Sequence, residues 1–131
     1  MSATANDRYT ILYVDDEPSN LRVFKSTFRR EFDILLADNA VEAVETLKTR
    51  EIDLLITDQM MPDMSGIELL KEIQRLYPEA PPSRVMLSGY AQPEDIDLAF
   101  EDYKLYKFIS KPWDEHDLKA LIIEAIKAGH G

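Results

Sequence analysis

Ile11-Leu12-Tyr13-Val14-Asp15-Asp16 is a short apolar run that ends in two carboxylates, and the chain returns to this theme three more times. Residues 52–58 read Ile-Asp-Leu-Leu-Ile-Thr-Asp, residues 85–88 read Val-Met-Leu-Ser, and residues 108–112 read Phe-Ile-Ser-Lys-Pro. Each is β-like, with its polar group at the carboxyl end. In open parallel sheets ligands bind along that edge. Strands lying side by side, about 4.8 Å apart, would bring Asp15, Asp16 and Asp58 to one small site, with Ser88 and Lys111 beside them. Three carboxylates that close repel one another unless a hard divalent cation sits among them. A cation, a central aspartate, a hydroxyl and a lysine form a set suited to phosphoryl transfer.

Working outward, apolar strands alternate with amphipathic helices five times. Strand one covers about 9–15, and helix one about 18–31, with Leu21, Phe24 and Phe28 along one face. Pro18 suits the first turn, where its missing N–H costs nothing. Strand two is 32–37, and helix two, about 39–50, has Asn39 as its expected N-cap and Val41, Val44 and Leu47 as its inward stripe. Strand three is 52–57, followed by a loop from Met60 to Gly66. Ser65 with Glu68 three residues later forms a capping box that opens helix three, which Pro78 closes after Tyr77. Strand four is 84–88, helix four about 93–103, strand five 106–109 and helix five about 114–128, with a tail from Gly129. Strand–helix alternation at this spacing predicts right-handed crossovers and a parallel sheet covered on both faces. The Glu79-Ala-Pro-Pro-Ser83 connection is too short to separate a pair of domains, so one domain over residues 1–131, with a core of about 8–128, is expected.

Composition narrows the function. Fifteen basic against twenty-five acidic residues give a net charge of −10, which argues against nucleic-acid backbones and anionic membrane surfaces as partners. With no cysteine, thiolate chemistry and disulfides are excluded, as fits a reducing compartment. Met1–Tyr9 lacks the layout of a signal peptide, and no apolar run nears the ~20 residues of a membrane span. A cytoplasmic location is expected. His116 and His130 have no metal-ligand spacing, and His130 falls in a tail expected to fray.

Asp15-Asp16 after strand one, Asp58 after strand three, Ser88 after strand four and Lys111-Pro112 after strand five occur in order, each at a strand end. Pro62 and Gly66 follow Asp58 at four and eight residues. Over about 8–128 this pattern resembles the receiver domain of two-component response regulators. The resemblance implies an α/β fold: a doubly wound (βα)5, flavodoxin-like sheet of strand order 2-1-3-4-5. It implies that Asp58 is the phosphoacceptor, attacking the phosphorus of a phosphohistidine on a sensor histidine kinase or phosphotransfer protein. Asp15 and Asp16 resemble the acids that bind Mg²⁺ (or Mn²⁺ in its place), Asp16 directly and Asp15 through a water. Asp58 and the backbone carbonyl of Met60 complete the protein ligands. Lys111 resembles the lysine that pairs with Asp58, and its peptide bond to Pro112 resembles the family's cis bond. Ser88 resembles the switch hydroxyl, which is threonine in many members, and Phe108 the switch aromatic. Tyr106, two residues before Phe108, is an alternative occupant of that surface. Met60 and Tyr90, both bulky, fall where the family tunes phosphate lifetime.

Such a chain is a signalling module that catalyses its own phosphorylation and dephosphorylation, rather than an enzyme with a separate substrate. The Lys111-Pro112-Trp113 segment, approached by Tyr103, Tyr106 and Phe108, is similar to receivers joined to HD-type phosphodiesterase or AAA+ output domains; otherwise Trp113 simply caps the sheet end. An output domain or effector is an expected partner. The face formed by helix four, strand five and helix five is the expected output surface, suited to a receiver–receiver homodimer. Other readings fit less well. A haloacid-dehalogenase-type hydrolase wants Asp-x-Asp-x-Thr, whereas residues 15–19 read Asp-Asp-Glu-Pro-Ser. No Gly-x-x-x-x-Gly-Lys loop exists among four glycines. A phosphorylation-independent pseudo-receiver would not need Asp15, Asp16, Asp58, Ser88 and Lys111 all intact.

Overall fold

The computed structural model describes residues 8–130. The reading of the first residues as lacking a leader falls mostly outside them. Ten elements alternate: β1 (Thr10–Val14), α1 (Pro18–Phe28), β2 (Asp33–Ala37), α2 (Ala40–Thr49), β3 (Leu54–Thr57), α3 (Gly66–Leu76), β4 (Ser83–Ser88), α4 (Pro93–Asp102), β5 (Leu105–Ser110) and α5 (Glu115–His130). The strands are all parallel, in the order β2-β1-β3-β4-β5. This is the expected doubly wound fold. No helix among the described residues is long and apolar enough to cross a membrane.

Strand alternation divides the core in two. Ile11, Tyr13, Ile34, Leu54 and Ile56 face Phe24 and Phe28 of α1 and Leu118, Ile122 and Ile126 of α5. Leu12, Val14, Leu55 and Met86 face Ala43 and Leu47 of α2, Leu69 and Ile73 of α3, and Ala99 of α4. β3 and β4 are buried along their whole length, as strands covered on both faces must be.

Local signals hold at most helix starts. Pro18 opens α1, Asn39 accepts from the Glu42 N–H at 2.8 Å, and Ser65 with Glu68 closes the capping box in both directions. Four expectations need correction. Helix α1 stops at Phe28, because the N–H groups of Glu31 and Phe32 both turn back to the Phe28 carbonyl. In α2 the buried residues are Ala40, Ala43 and Leu47, while Val41 is 63 % exposed. Leu47 is buried and Val44 packs against the core as expected; only Val41 turns outward, and Ala40 and Ala43 let the helix sit close to the sheet.

The third correction concerns α5, which continues through Gly129 to His130 instead of ending in a tail. Gly129 belongs there because a Cβ would strike the Ser83 hydroxyl, which donates to the Ala125 carbonyl at 2.6 Å. The His130 ring bonds Asp53 at 2.7 Å and lies 5.9 Å from the Tyr9 ring, so the helix end is anchored. The fourth is Trp113. Its ring centroid lies 6.3 Å from Phe24 and 5.7 Å from Phe28, so just past the end of β5 it also covers α1.

Candidate functional site

The register places the site. Val14 pairs with Thr57 and Thr57 with Met86, so β1, β3 and β4 end side by side. The Asp58 N–H then donates to the Val14 carbonyl at 2.9 Å, and the Asp15 N–H to the Ala37 carbonyl at 3.1 Å. Carboxylate oxygens of Asp15, Asp16 and Asp58 all lie within 4.8 Å of one another. The predicted convergence of the three acids is what the strands produce.

Lys111 reaches the cluster from the end of β5. Its Nζ is 2.8 Å from Asp15 Oδ2 and 3.5 Å from Asp58 Oδ2. Its N–H donates to the Ser88 carbonyl at 3.0 Å, joining the ends of β4 and β5, and its bond to Pro112 is cis. One ammonium thus serves two carboxylates, and Asp16 has no cation partner among the described residues.

Asp15 is wholly buried and its lone pairs are taken. Oδ2 accepts from Tyr13 OH (2.7 Å), Asn20 Nδ2 (3.2 Å) and Lys111, and Oδ1 from the Glu17 N–H (3.0 Å). Burial by itself would raise the Asp15 pKa. The bonds from Lys111, Glu17 and Tyr13, with the Lys111 charge, outweigh burial and hold the carboxyl below its usual range. Tyr13 is shifted the other way: burial first, then its bond to Asp15 and the nearby Asp58 charge, keep its hydroxyl protonated.

Asp58 Oδ1 accepts from the Gln59 N–H at 2.7 Å, leaving Oδ2 toward Lys111. The start of α3 presses against this residue. A Cβ at Gly66 would collide with the Asp58 carbonyl oxygen and come within 2.9 Å of Gln59 Cα, which is the physical reason for glycine eight residues past Asp58. Gln59 is buried; its side chain accepts from the Ile67 N–H at 2.7 Å and reaches Asp95 of α4 at 3.4 Å.

Ser88 is buried, but its hydroxyl is turned to the following loop, donating to the Tyr90 carbonyl at 3.0 Å and not to Asp58. Met60 and Tyr90, two residues past Asp58 and Ser88, are exposed at 61 % and 56 %. Phe108 is half-buried on the α2–α3–α4 side, opposite Met86 of β4. Tyr106 lies with the other core layer. A register shift pairs Arg84 with Leu105 but Val85 with Lys107, so one extra residue breaks the period of two. Tyr106 and Phe108 therefore do not share a surface.

Sequence reading missed Tyr13, Asn20 and Gln59. Tyr13 had a signal, being two residues before Asp15 on a strand and so on its face. Asn20 and Gln59 had none beyond proximity.

A parallel sheet with an acidic cluster and a lysine at its carboxyl edge defines a class of α/β proteins that bind ligands there. Residues 11–123 match the response regulator receiver domain model, and the chain belongs to that family. It is 34 % identical over 118 residues to the hydrogenase transcriptional regulatory protein HoxA of Bradyrhizobium diazoefficiens, covering 90 % of this chain and 24 % of HoxA. It is also 34 % identical to a probable cyclic di-GMP phosphodiesterase of Vibrio cholerae, covering 86 % of this chain and 26 % of that protein. The chain thus spans about a quarter of the length of such relatives. Among solved structures, it is similar to the signal receiver domain of an HD domain-containing protein from Pseudomonas fluorescens Pf-5. That match has TM-score 0.87 and 30 % identity, over 94 % of this chain and 98 % of that one. A CheY-like receiver from Methanospirillum hungatei also matches, with TM-score 0.87 and 27 % identity over 95 % and 98 % of the two chains.

Proposed function

We propose that this chain is a single receiver unit that accepts a phosphoryl group on Asp58 and changes its partner contacts in response. The observation that carries this reading is Lys111 poised between Asp15 and Asp58, with Asp16 beside them. The donor set suits Mg²⁺: three carboxylates, all oxygen, in a space where mutual repulsion favours a hard cation. Asp16 has no other hydrogen-bond partner among the described side chains and is the acid available as a direct ligand. Asp15, saturated by four donors, orients from behind. Asp58 and the Met60 carbonyl would complete the protein's ligands, and Mn²⁺ satisfies the same donors. Bound there, the ion neutralises charge on the phosphoryl oxygens.

Asp58 then attacks the phosphorus of a phosphohistidine on a sensor histidine kinase or phosphotransfer protein. The new O–P bond forms as the P–N bond to histidine breaks, leaving an acyl phosphate. Lys111 meets a phosphoryl oxygen as that charge transfers. Ser88 leaves the Tyr90 carbonyl to donate to another, and Phe108 fills the space behind it; these are the switch. Exposed Met60 and Tyr90 stand over the site and limit water. The altered face consists of α4, β5 and α5, offered to an output domain, an effector or a second copy of the chain. A cytoplasmic location accords with such a role. The named relatives support an output of transcriptional or phosphodiesterase type in a longer protein.

Acetyl phosphate or a phosphorylated kinase with Mg²⁺ should add one phosphoryl group, read by intact mass. Asp58→Asn should abolish it, and so should Asp16→Ala. Undiminished labelling of Asp58→Asn would overturn the assignment.

A further inference from the structure

At the opposite end of the sheet, the amino end of β2 opens onto a depression of about 810 Å³. Arg8, Lys25, Arg29, Arg30 and Arg50 ring it, with Asp33 as their one acidic neighbour in the lining. Five of the fifteen lysines and arginines crowd one place in a chain of net charge −10. Arg8 is committed to the fold: it pairs with Asp33 at 3.5 Å and donates to the carbonyls of Phe32 (2.7 Å) and Arg29. The nearby Glu31 is engaged by Lys119 of α5. Lys25, Arg29, Arg30 and Arg50 are exposed and enter none of the ion pairs among the described residues.

Arg29 and Arg50 are the C-caps of α1 and α2, whose ends supply about half a negative charge each. That offsets about one cation of four and leaves about three unmatched. We propose that this depression binds a small ligand bearing at least two phosphate groups. Three of the four free cations are guanidiniums, whose planar forks hold phosphate oxygens in pairs. A single phosphate would leave positive charge uncompensated. A long polyanion would run past the patch onto the acidic remainder of the surface. β2 is the edge of the sheet, so one row of its backbone N–H and C=O groups is open to the rest of such a ligand.

The site is separate from Asp58, and its test needs no phosphorylation. The intact chain, ¹⁵N-labelled and free of divalent cations, is titrated with inorganic tripolyphosphate, and separately with ATP, at about 150 mM salt, where loose surface charge is screened. Monophosphate and a hexaglutamate peptide serve as comparisons. The expected result is saturable one-to-one binding, with amide shifts centred on residues 25–35 and on Arg50. Tighter binding of ATP than of tripolyphosphate would place a nucleotide there; the reverse would place inorganic polyphosphate. Arg29→Ser and Arg50→Ser, on different elements and both exposed, should each weaken binding about tenfold or more, while the melting temperature falls only by the few degrees that a lost cation at a helix end costs. Shifts that fail to saturate, binding unchanged in both variants, or hexaglutamate bound as tightly as tripolyphosphate would each overturn the proposal.

Discussion

Both oxygens of Asp15 are occupied before any ligand arrives, and this separates its role from that of its neighbour Asp16. A buried carboxylate is tolerated only when its lone pairs are met, and Tyr13, Asn20, Lys111 and the Glu17 N–H meet them. Tyr13 donates from inside the core, where it also stacks on Phe24 with ring centroids 4.3 Å apart. Tyr13→Phe keeps the ring and removes one donor to a charged acceptor. The variant should lose about 1.5–3 kcal/mol of stability in urea denaturation while Asp58 still takes up phosphate. An unchanged denaturation midpoint would mean that the remaining donors suffice for Asp15.

At the scale of elements, α3 is seated by Gly66, whose backbone abuts Asp58 itself. Gly66→Ala adds a methyl with no room on either side, and such overpacking costs typically about 1–3 kcal/mol. It should lower the melting temperature and slow Asp58 labelling together, since the strain falls on the proposed phosphoacceptor. A variant that melts earlier yet labels at the normal rate would show that the loop yields elsewhere. Most elements were legible because their cause is local: apolar runs for β1, β3 and β4, Asn39 and Ser65 as caps, Pro18 at a first turn. The acids and Lys111 were legible because each ends a strand. What escaped depends on contacts across the fold. Nothing near Tyr106 announces the β5 bulge that sends it to the opposite face from Phe108. Gly129 looks like a helix stop until Ser83 is seen against it. Val41 outranks Ala40 and Ala43 in hydrophobicity, yet close helix–sheet approach prefers the alanines.

Over the whole molecule, the two ends of the sheet carry opposite charge: an acidic cluster at the carboxyl edge and a basic ring at the amino end of β2. With one lysine shared between two of three acids, Mg²⁺ should stabilise the folded chain by mass action, about 2.7 kcal/mol at one hundred times its Kd. The melting temperature should therefore rise between chelator and millimolar Mg²⁺, and fail to rise in Asp16→Ala. Phosphorylation reaches further. On the proposed reading it would add roughly −1.5 to −2 charge and three acceptor oxygens at Asp58, with Ser88 and Lys111 at the ends of β4 and β5 as the groups to meet them. To do so the Ser88 hydroxyl would have to release the Tyr90 carbonyl, which would loosen the loop into α4. Phe108 and Ala91 belong to the same core layer, so a shift of that loop changes the packing available to Phe108. Two arrangements of one packed region can exchange in this way. Amide exchange with and without a beryllofluoride mimic of the phosphoryl group, in Mg²⁺, should thus change most in α4, β5 and the start of α5. Changes confined to α1 and α2, with α4 and β5 silent, would place the output at the opposite, β2 edge of the sheet.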